Sequence, residues 1–390
     1  MNNRLIYALA FGGFLLGTVE SIVAGIIEMI SDDLHVSLSS VGWLVTSFAL
    51  GFGIGSPILI ALMAKLDRKR AMLIALALFA AGNILVFPVH NFPLLLALRL
   101  FTGCGAGAFI AIAFAVAMKL VDADKGASAI GIIATGITSS LVIGIPIGTL
   151  LSKAAGWRFL FLAVGLLALI LGLILARYMP RIVGSQKVPL TRQFGVLKNK
   201  AVITAVLVSF FLVFDYGMLL TYLTPFIQSA SRMSTETISL ILLVAGLFSM
   251  ASSRLSGFFS DKWGSKLTIY TGLLVQVAIL VVSPVLGHSL FGMIAVVLIW
   301  MASLWSTTPA LQFYLVSLSP QAPDIAQSVN LSFFQFGLML GPLLGGVIIR
   351  SSSASNLGWS SGIVALIALV FAFLSFKASD KVGSKTYTTT

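Results

Sequence analysis

The sequence predicts an all-α membrane protein of twelve transmembrane helices, arranged as two pseudo-symmetric six-helix bundles. Three observations predict it. Hydrophobic residues make up 58% of the chain and charged residues only 9%. The apolar residues gather into twelve runs, each long enough to cross a bilayer. The same short patterns then recur 196 positions apart, as in Ala61 and Gly257, Lys65 and Asp261, and Pro146 and Pro342.

Composition comes first because it fixes the solvent. A soluble domain carries about 25% charged residues, and a water-facing surface cannot be built from so few charges as this chain has. The balance is basic, with 24 Lys and Arg against 12 Asp and Glu. The cations sit in short loops between apolar runs and not on a polar domain, which argues against nucleic-acid binding. The single cysteine, Cys104, lies in an apolar run and excludes an internal disulfide framework. His35, His90 and His288 fall in loops. No metal-ligand cluster, phosphate loop or nucleophile–base pair is visible, so neither an enzyme nor a cofactor is expected.

The runs lie near 5–30, 40–64, 71–89, 94–118, 127–151 and 157–179, then 200–229, 236–258, 266–285, 291–317, 324–349 and 358–377. A helix needs about 20 apolar residues to span the hydrocarbon core, and a barrel strand would alternate apolar and polar residues, which these do not. The first run is too long for a signal-peptide core and carries Glu20 within it, so it reads as a retained span.

Loop charge sets the orientation. With the N-terminus in the cytoplasm, nineteen Lys and Arg face inward, Lys65, Arg68, Lys69 and Arg70 among them; Lys153, Arg158, Arg232 and Arg350 face outward, and Arg99 stays inside a span. That asymmetry places both termini in the cytoplasm. The organisation is then a bundle over 1–179, a polar linker over 180–199, a second bundle over 200–377 and a cytoplasmic tail over 378–390, the tail expected without order.

The repeat is most explicit in two places. Ala61-Leu-Met-Ala-Lys65-Leu-Asp67-Arg68-Lys69-Arg70 follows span two, and Gly257-Phe-Phe-Ser-Asp261-Lys262-Trp-Gly264 follows span eight. Span five carries Gly144-Ile-Pro146-Ile-Gly148, and span eleven carries Gly341-Pro342-Leu-Leu-Gly345-Gly346. Internal duplication of this kind marks transporters.

Span one reads Gly17-Thr-Val-Glu20, span four Arg99-Leu-Phe-Thr-Gly103-Cys-Gly105-Ala-Gly107, and span eleven Asp324-Ile-Ala-Gln327-Ser328-Val-Asn330-Leu-Ser332-Phe-Phe-Gln335. With the Gly–Pro motif of span five, these stretches resemble the major facilitator superfamily over the whole chain. Within it they resemble the twelve-span drug:proton antiporters, and most closely the exporters of purine bases and nucleosides. The resemblance implies the major facilitator fold, monomeric function in the cell membrane, and proton-coupled efflux of small amphipathic or heterocyclic compounds. Metabolite export specific to purines, nucleosides or sugars, and import or facilitated flux on the same fold, stay open as alternatives. The first loop departs from the family pattern at Ala61 and Lys65, whereas Gly257, Asp261 and Gly264 keep it. Glu28 stands where related exporters usually show proline.

Two acids lie well inside spans, Glu20 and Asp215, and they are 195 positions apart. The resemblance puts spans one and seven beside a central cavity. An intramembrane ionisable group is a functional candidate by default, and a carboxyl that exchanges protons is what proton coupling requires. Gly13, Gly17, Glu20 and Ala24 share one helical face. Arg99 is the one intramembrane cation, about 9 Å below the outer edge by the helical rise, within reach of Glu20 or Glu28. Asn330, Gln335, Gln312, Trp300, Trp305, Tyr216 and Tyr222 are candidates to bind or orient substrate. Gly144, Pro146, Gly148, Gly257, Asp261, Gly264, Gly341 and Pro342 are candidates for gating and helix packing. The expected partners are a small molecule, protons and the bilayer.

Overall fold

The computed structural model of the chain describes residues 3–182, 198–230, 233 and 235–387. Among them every regular element is helical, and twelve helices are long and apolar enough to cross a membrane. These are Arg4–Val23, Ser40–Leu62, Arg68–Val86, Phe92–Leu120, Gly126–Ala155, Trp157–Tyr178, Lys200–Thr221, Leu240–Trp263, Ser265–Leu286, Leu290–Leu318, Pro323–Ser351 and Ala354–Asp380. Most of the linker expected over 180–199 lies outside the described residues.

The chain forms two compact units: Met1–Gln193 with Gln321–Ser332, and Phe194–Pro320 with Phe333–Thr390. The beginning of span eleven thus belongs to the first unit and the rest of that helix to the second. The reason is electrostatic as well as steric. Asp324, in the first turn of span eleven, makes a buried ion pair with Arg68, the first residue of span three. The backbone N–H of Arg68 also donates to the carbonyl of Ile182 at 2.9 Å.

Within the first unit span one packs on span five, span two on span four, and span three on spans four and six. Within the second, span seven packs on span twelve, span eight on span ten, and span nine on spans ten and twelve. The pairings of spans two, three, four and six recur in spans eight, nine, ten and twelve, so the sequence repeat is a repeat of packing. It extends to helix breaks. Span one stops at Gly25 and a new helix starts at Ile27, while span seven stops at Thr221 and a new helix starts at Leu223. The two restarts are 196 residues apart.

Glycines set the tightest crossings. A Cβ on Gly136 would come within 2.0 Å of the Ala10 carbonyl, and one on Gly17 within 2.3 Å of the Ser140 hydroxyl. Spans one and five therefore meet backbone to backbone. Gly144 meets Thr18 and Gly148 meets Ile22 along the same line. In the second unit Gly337 and Gly341 lie against the carbonyls of Phe210 and Phe214, and Pro342 against Gly217. This is the seam of spans seven and eleven. Spans two and five each widen into a five-residue π turn, Gly51–Gly55 and Ser140–Gly144, immediately before the turn carrying Pro57 or Pro146. Proline removes one backbone donor and crowds the preceding turn, and the wide turn absorbs that.

The C-terminal tail differs from expectation. The last helix runs Leu357–Tyr387, ten residues past the expected end of the span. Lys266, at the start of span nine, pairs with Asp380 and ties this extension down.

Candidate functional site

The acid of the first unit, Glu20, is half-buried on span one, three residues beyond Gly17 and its contact with span five. Its electrostatic partner is Arg99. The Arg99 side chain, 2% exposed, is held by two backbone carbonyls: Nη1 donates to Val19 O at 3.1 Å and Nε to Leu44 O at 3.3 Å. Its guanidinium lies over Phe48 at 4.6 Å and Phe161 at 5.7 Å. Span four thus clamps spans one and two, and the charge sits one residue from Glu20. Arg99 Nη2 has no hydrogen-bond partner among the described residues. The fork geometry of arginine is what lets one side chain serve two carbonyls and keep a donor in reserve. Glu28 is exposed on the short helix beyond the break.

The acid of the second unit is more deeply placed. Asp215 is fully buried. Its Oδ2 accepts from Gln276 Nε2 at 2.6 Å and from Trp300 Nε1 at 3.2 Å. The Ser361 hydroxyl lies against the same carboxyl. Spans nine and ten each supply one neutral donor, Ser361 of span twelve makes no hydrogen bond to it, and among the described residues no cation pairs with it. Trp300 and Trp305 both pack on Tyr216, with ring centres 5.8 Å and 6.2 Å away. Trp305 Nε1 is buried with no hydrogen-bond partner among the described residues.

The sequence candidates therefore separate. Asp215, Tyr216, Trp300 and Trp305 form one cluster, and Glu20 and Arg99 another. Gln312, Asn330 and Gln335 are all buried; Gln312 lies two turns beyond Trp305 on span ten, and Asn330 falls in the segment of span eleven that belongs to the first unit. Tyr222 caps span seven and packs its ring on Gly345 and Gly346. Gly257 is buried in span eight, Asp261 half-buried in its last turn, and Gly264 makes the turn to span nine at φ +89°. In the matching first loop Asp67 caps span three, accepting from Arg70 N at 3.0 Å.

Gln276 and Ser361 were not singled out from the sequence, although Gln276 is an amide in the middle of an otherwise apolar run, which is a usable signal. The burial of Asp324 had no signal of its own, because an acid at the start of an apolar run reads as a surface residue.

The profile of the Major Facilitator Superfamily matches residues 9–323. The chain belongs to the Major Facilitator Superfamily. It is 33% identical over 384 residues to the uncharacterized MFS-type transporter YbcL of Bacillus subtilis (strain 168), covering 98% of each chain. It is 28% identical over 378 residues to the inner membrane transport protein YdhP of Escherichia coli (strain K12), covering 96% of each. Among solved structures it is similar to the Major Facilitator Superfamily transporter FucP, with a TM-score of 0.78 at 15% identity over 95% of this chain and 98% of that one. The expected fold is therefore correct: this is a multi-pass membrane transporter of small molecules and not an enzyme.

Proposed function

We propose that this Major Facilitator Superfamily transporter is a proton-coupled exporter of small amphipathic or heterocyclic compounds, acting as a monomer in the cell membrane with both termini in the cytoplasm. The observation that carries the reading is Asp215, a fully buried carboxyl with two neutral donors on one oxygen and no cation among its described partners. Such a group changes charge whenever a proton arrives or leaves, and a packed bundle responds to that change by rearranging. Glu20, its counterpart in the other half, is held beside Arg99 and responds to the same proton by loosening or tightening that pair. Alternating exposure of the substrate site to the two sides of the membrane is the mode of transport that this reading implies. The outward direction rests on the resemblance to antiporters and on the Gly144–Pro146 motif of span five.

For substrate recognition the useful group is Trp305, whose buried N–H has no described partner. A ligand with a hydrogen-bond acceptor on a flat ring fits that donor and the adjacent Tyr216 ring. This favours a heterocyclic metabolite such as a purine base or nucleoside over a purely apolar drug.

The test has two parts. Cells overproducing the protein are challenged with purine analogues and common antibiotics, with and without an uncoupler; raised tolerance that the uncoupler removes is expected. Unchanged tolerance to every compound would remove the exporter reading. For a compound that is moved, proteoliposomes with an imposed pH gradient then compare the native chain with Glu20→Gln and Asp215→Asn, and loss of pH-driven flux is expected in at least one. The donor set around Asp215 also suits a fixed structural role, which gives a second reading, a facilitator on the same fold. In that case both variants keep substrate flux and ignore the gradient.

A further inference from the structure

A groove of about 380 Å³ is lined by spans eight, nine and ten of the second unit, and Asp215, Gln276 and Trp300 are not among its lining residues. Its sides are the exposed chains of Phe248, Leu255, Val275 and Ile299, and its floor holds Gly272 and Ala302. Six serines and threonines also line it, and five of their hydroxyls donate to backbone carbonyls. Ser256 donates to the Ser306 carbonyl, Ser303 to Trp300 O at 2.8 Å, Thr268 to Gly264 O at 3.1 Å and Thr271 to Leu267 O at 2.9 Å. With every lining hydroxyl but that of Ser252 used by the helices themselves, the surface offered is mostly hydrocarbon-like, and a polar ligand gains little there.

The groove has the length and the end that a lipid needs. Along span eight it reaches from Phe248 to Phe259, eleven residues, or about 16 Å of helix. Half of a hydrocarbon core is about 15 Å thick, so the groove covers one leaflet. It ends where span eight ends. There Phe259 stacks on Trp263 with ring centres 4.9 Å apart, and Lys262 Nζ lies over Phe258 at 6.0 Å and Trp263 at 5.6 Å. Tryptophan and lysine at a helix end mark the headgroup level. Lys266 is engaged by Asp380, whereas Lys262 is in no ion pair among the described residues. An exposed, unneutralised ammonium at the mouth of an apolar groove is complementary to a phosphate that carries an acyl chain.

We propose that this groove is a binding site for an anionic glycerophospholipid, with one acyl chain lying over Gly272 and Ala302 and the phosphate at Lys262. The site is independent of proton coupling. The full-length protein is reconstituted into vesicles of phosphatidylcholine containing a trace of phosphatidylglycerol with a photoactivatable group on its acyl chain. Labelled peptides are then mapped. Leu255, Ile299 and Ala302 take up several-fold more label than Val370 and Phe373, which are at least as exposed on span twelve. Unlabelled phosphatidylglycerol competes better than phosphatidylcholine. Lys262→Gln, a surface change that leaves folding intact, lowers that preference by about fivefold, the factor one cation supplies near an anionic surface. Ala302→Trp fills the floor and removes the excess label. Equal labelling of the groove and span twelve overturns the proposal, as does strong groove labelling that ignores the headgroup. A groove shielded from label in chemically cross-linked dimers also overturns it, and assigns the face to a second copy of the chain.

Discussion

Trp300 donates its indole N–H to Asp215 Oδ2 at 3.2 Å, the same oxygen that Gln276 Nε2 reaches at 2.6 Å. One carboxylate oxygen thereby joins spans seven, nine and ten. The same tryptophan packs on Tyr216, so the acid and the aromatic cluster share a wall. Any change at the carboxyl is felt by the rings without a long path.

Trp300→Phe keeps most of the ring area and removes the donor. Hydrogen bonds between membrane helices are worth about 0.6–1.7 kcal/mol, so a loss of that size is expected in detergent-solubilised unfolding. Asp215→Leu, which removes the acceptor, should couple to it: the double variant loses less than the two single losses added, because both delete the same bond. Strict additivity would mean that the indole and the carboxyl do not interact.

Arg99→Lys tests the clamp on spans one and two. Lysine carries a single ammonium and cannot reach the carbonyls of Val19 and Leu44 together while lying over Phe48. A loss of about 1 kcal/mol or more is expected from the forfeited bond, with a larger fractional loss of transport, since Glu20 keeps a cation nearby but in altered geometry. Unchanged melting and transport would show that charge alone suffices.

Twelve spans, the repeat and the glycine seams were legible because each is a local pattern: run length, spacing and small residues at i and i+4. Gly17 and Gly341 could be read as packing positions from neighbours in sequence. The partners of Asp215 could not, since Gln276 and Trp300 are 61 and 85 residues away and only the bundle brings them together. Asp324 was hidden for the same reason: its partner Arg68 lies on span three. The helix through Tyr387 was missed because its anchor, Lys266, belongs to span nine.

Arg68 and Asp324 make the clearest charge-swap experiment. Both side chains are buried, at 5% and 1% exposure. Removing one partner of a buried pair leaves the other charge uncompensated, typically at a cost of about 3–5 kcal/mol. Arg68→Asp and Asp324→Arg should each lower the unfolding midpoint sharply, and the double swap should recover most of the loss. A double variant no better than the singles would show that other groups hold these charges.

Three glycines separate three physical causes. Gly341→Ala places a Cβ 2.1 Å from the Phe214 carbonyl, a backbone atom that cannot step aside, so the seam of spans seven and eleven must open. Overpacking of this kind costs about 1–3 kcal/mol, and because the seam is part of the moving bundle, transport should fall further than stability. Gly264→Ala meets nothing within 4 Å, but φ +89° and ψ 146° lie in a region that only glycine occupies easily. Its cost, about 1–3 kcal/mol, is conformational. Gly42→Ala also meets nothing within 4 Å and lies in a regular helix, where alanine is favoured by roughly 0.5–1 kcal/mol. Ranked unfolding midpoints should therefore place Gly42→Ala above the native chain and the other two below it. If Gly341→Ala melts like the native chain and transports normally, spans seven and eleven do not meet as closely as their backbones indicate.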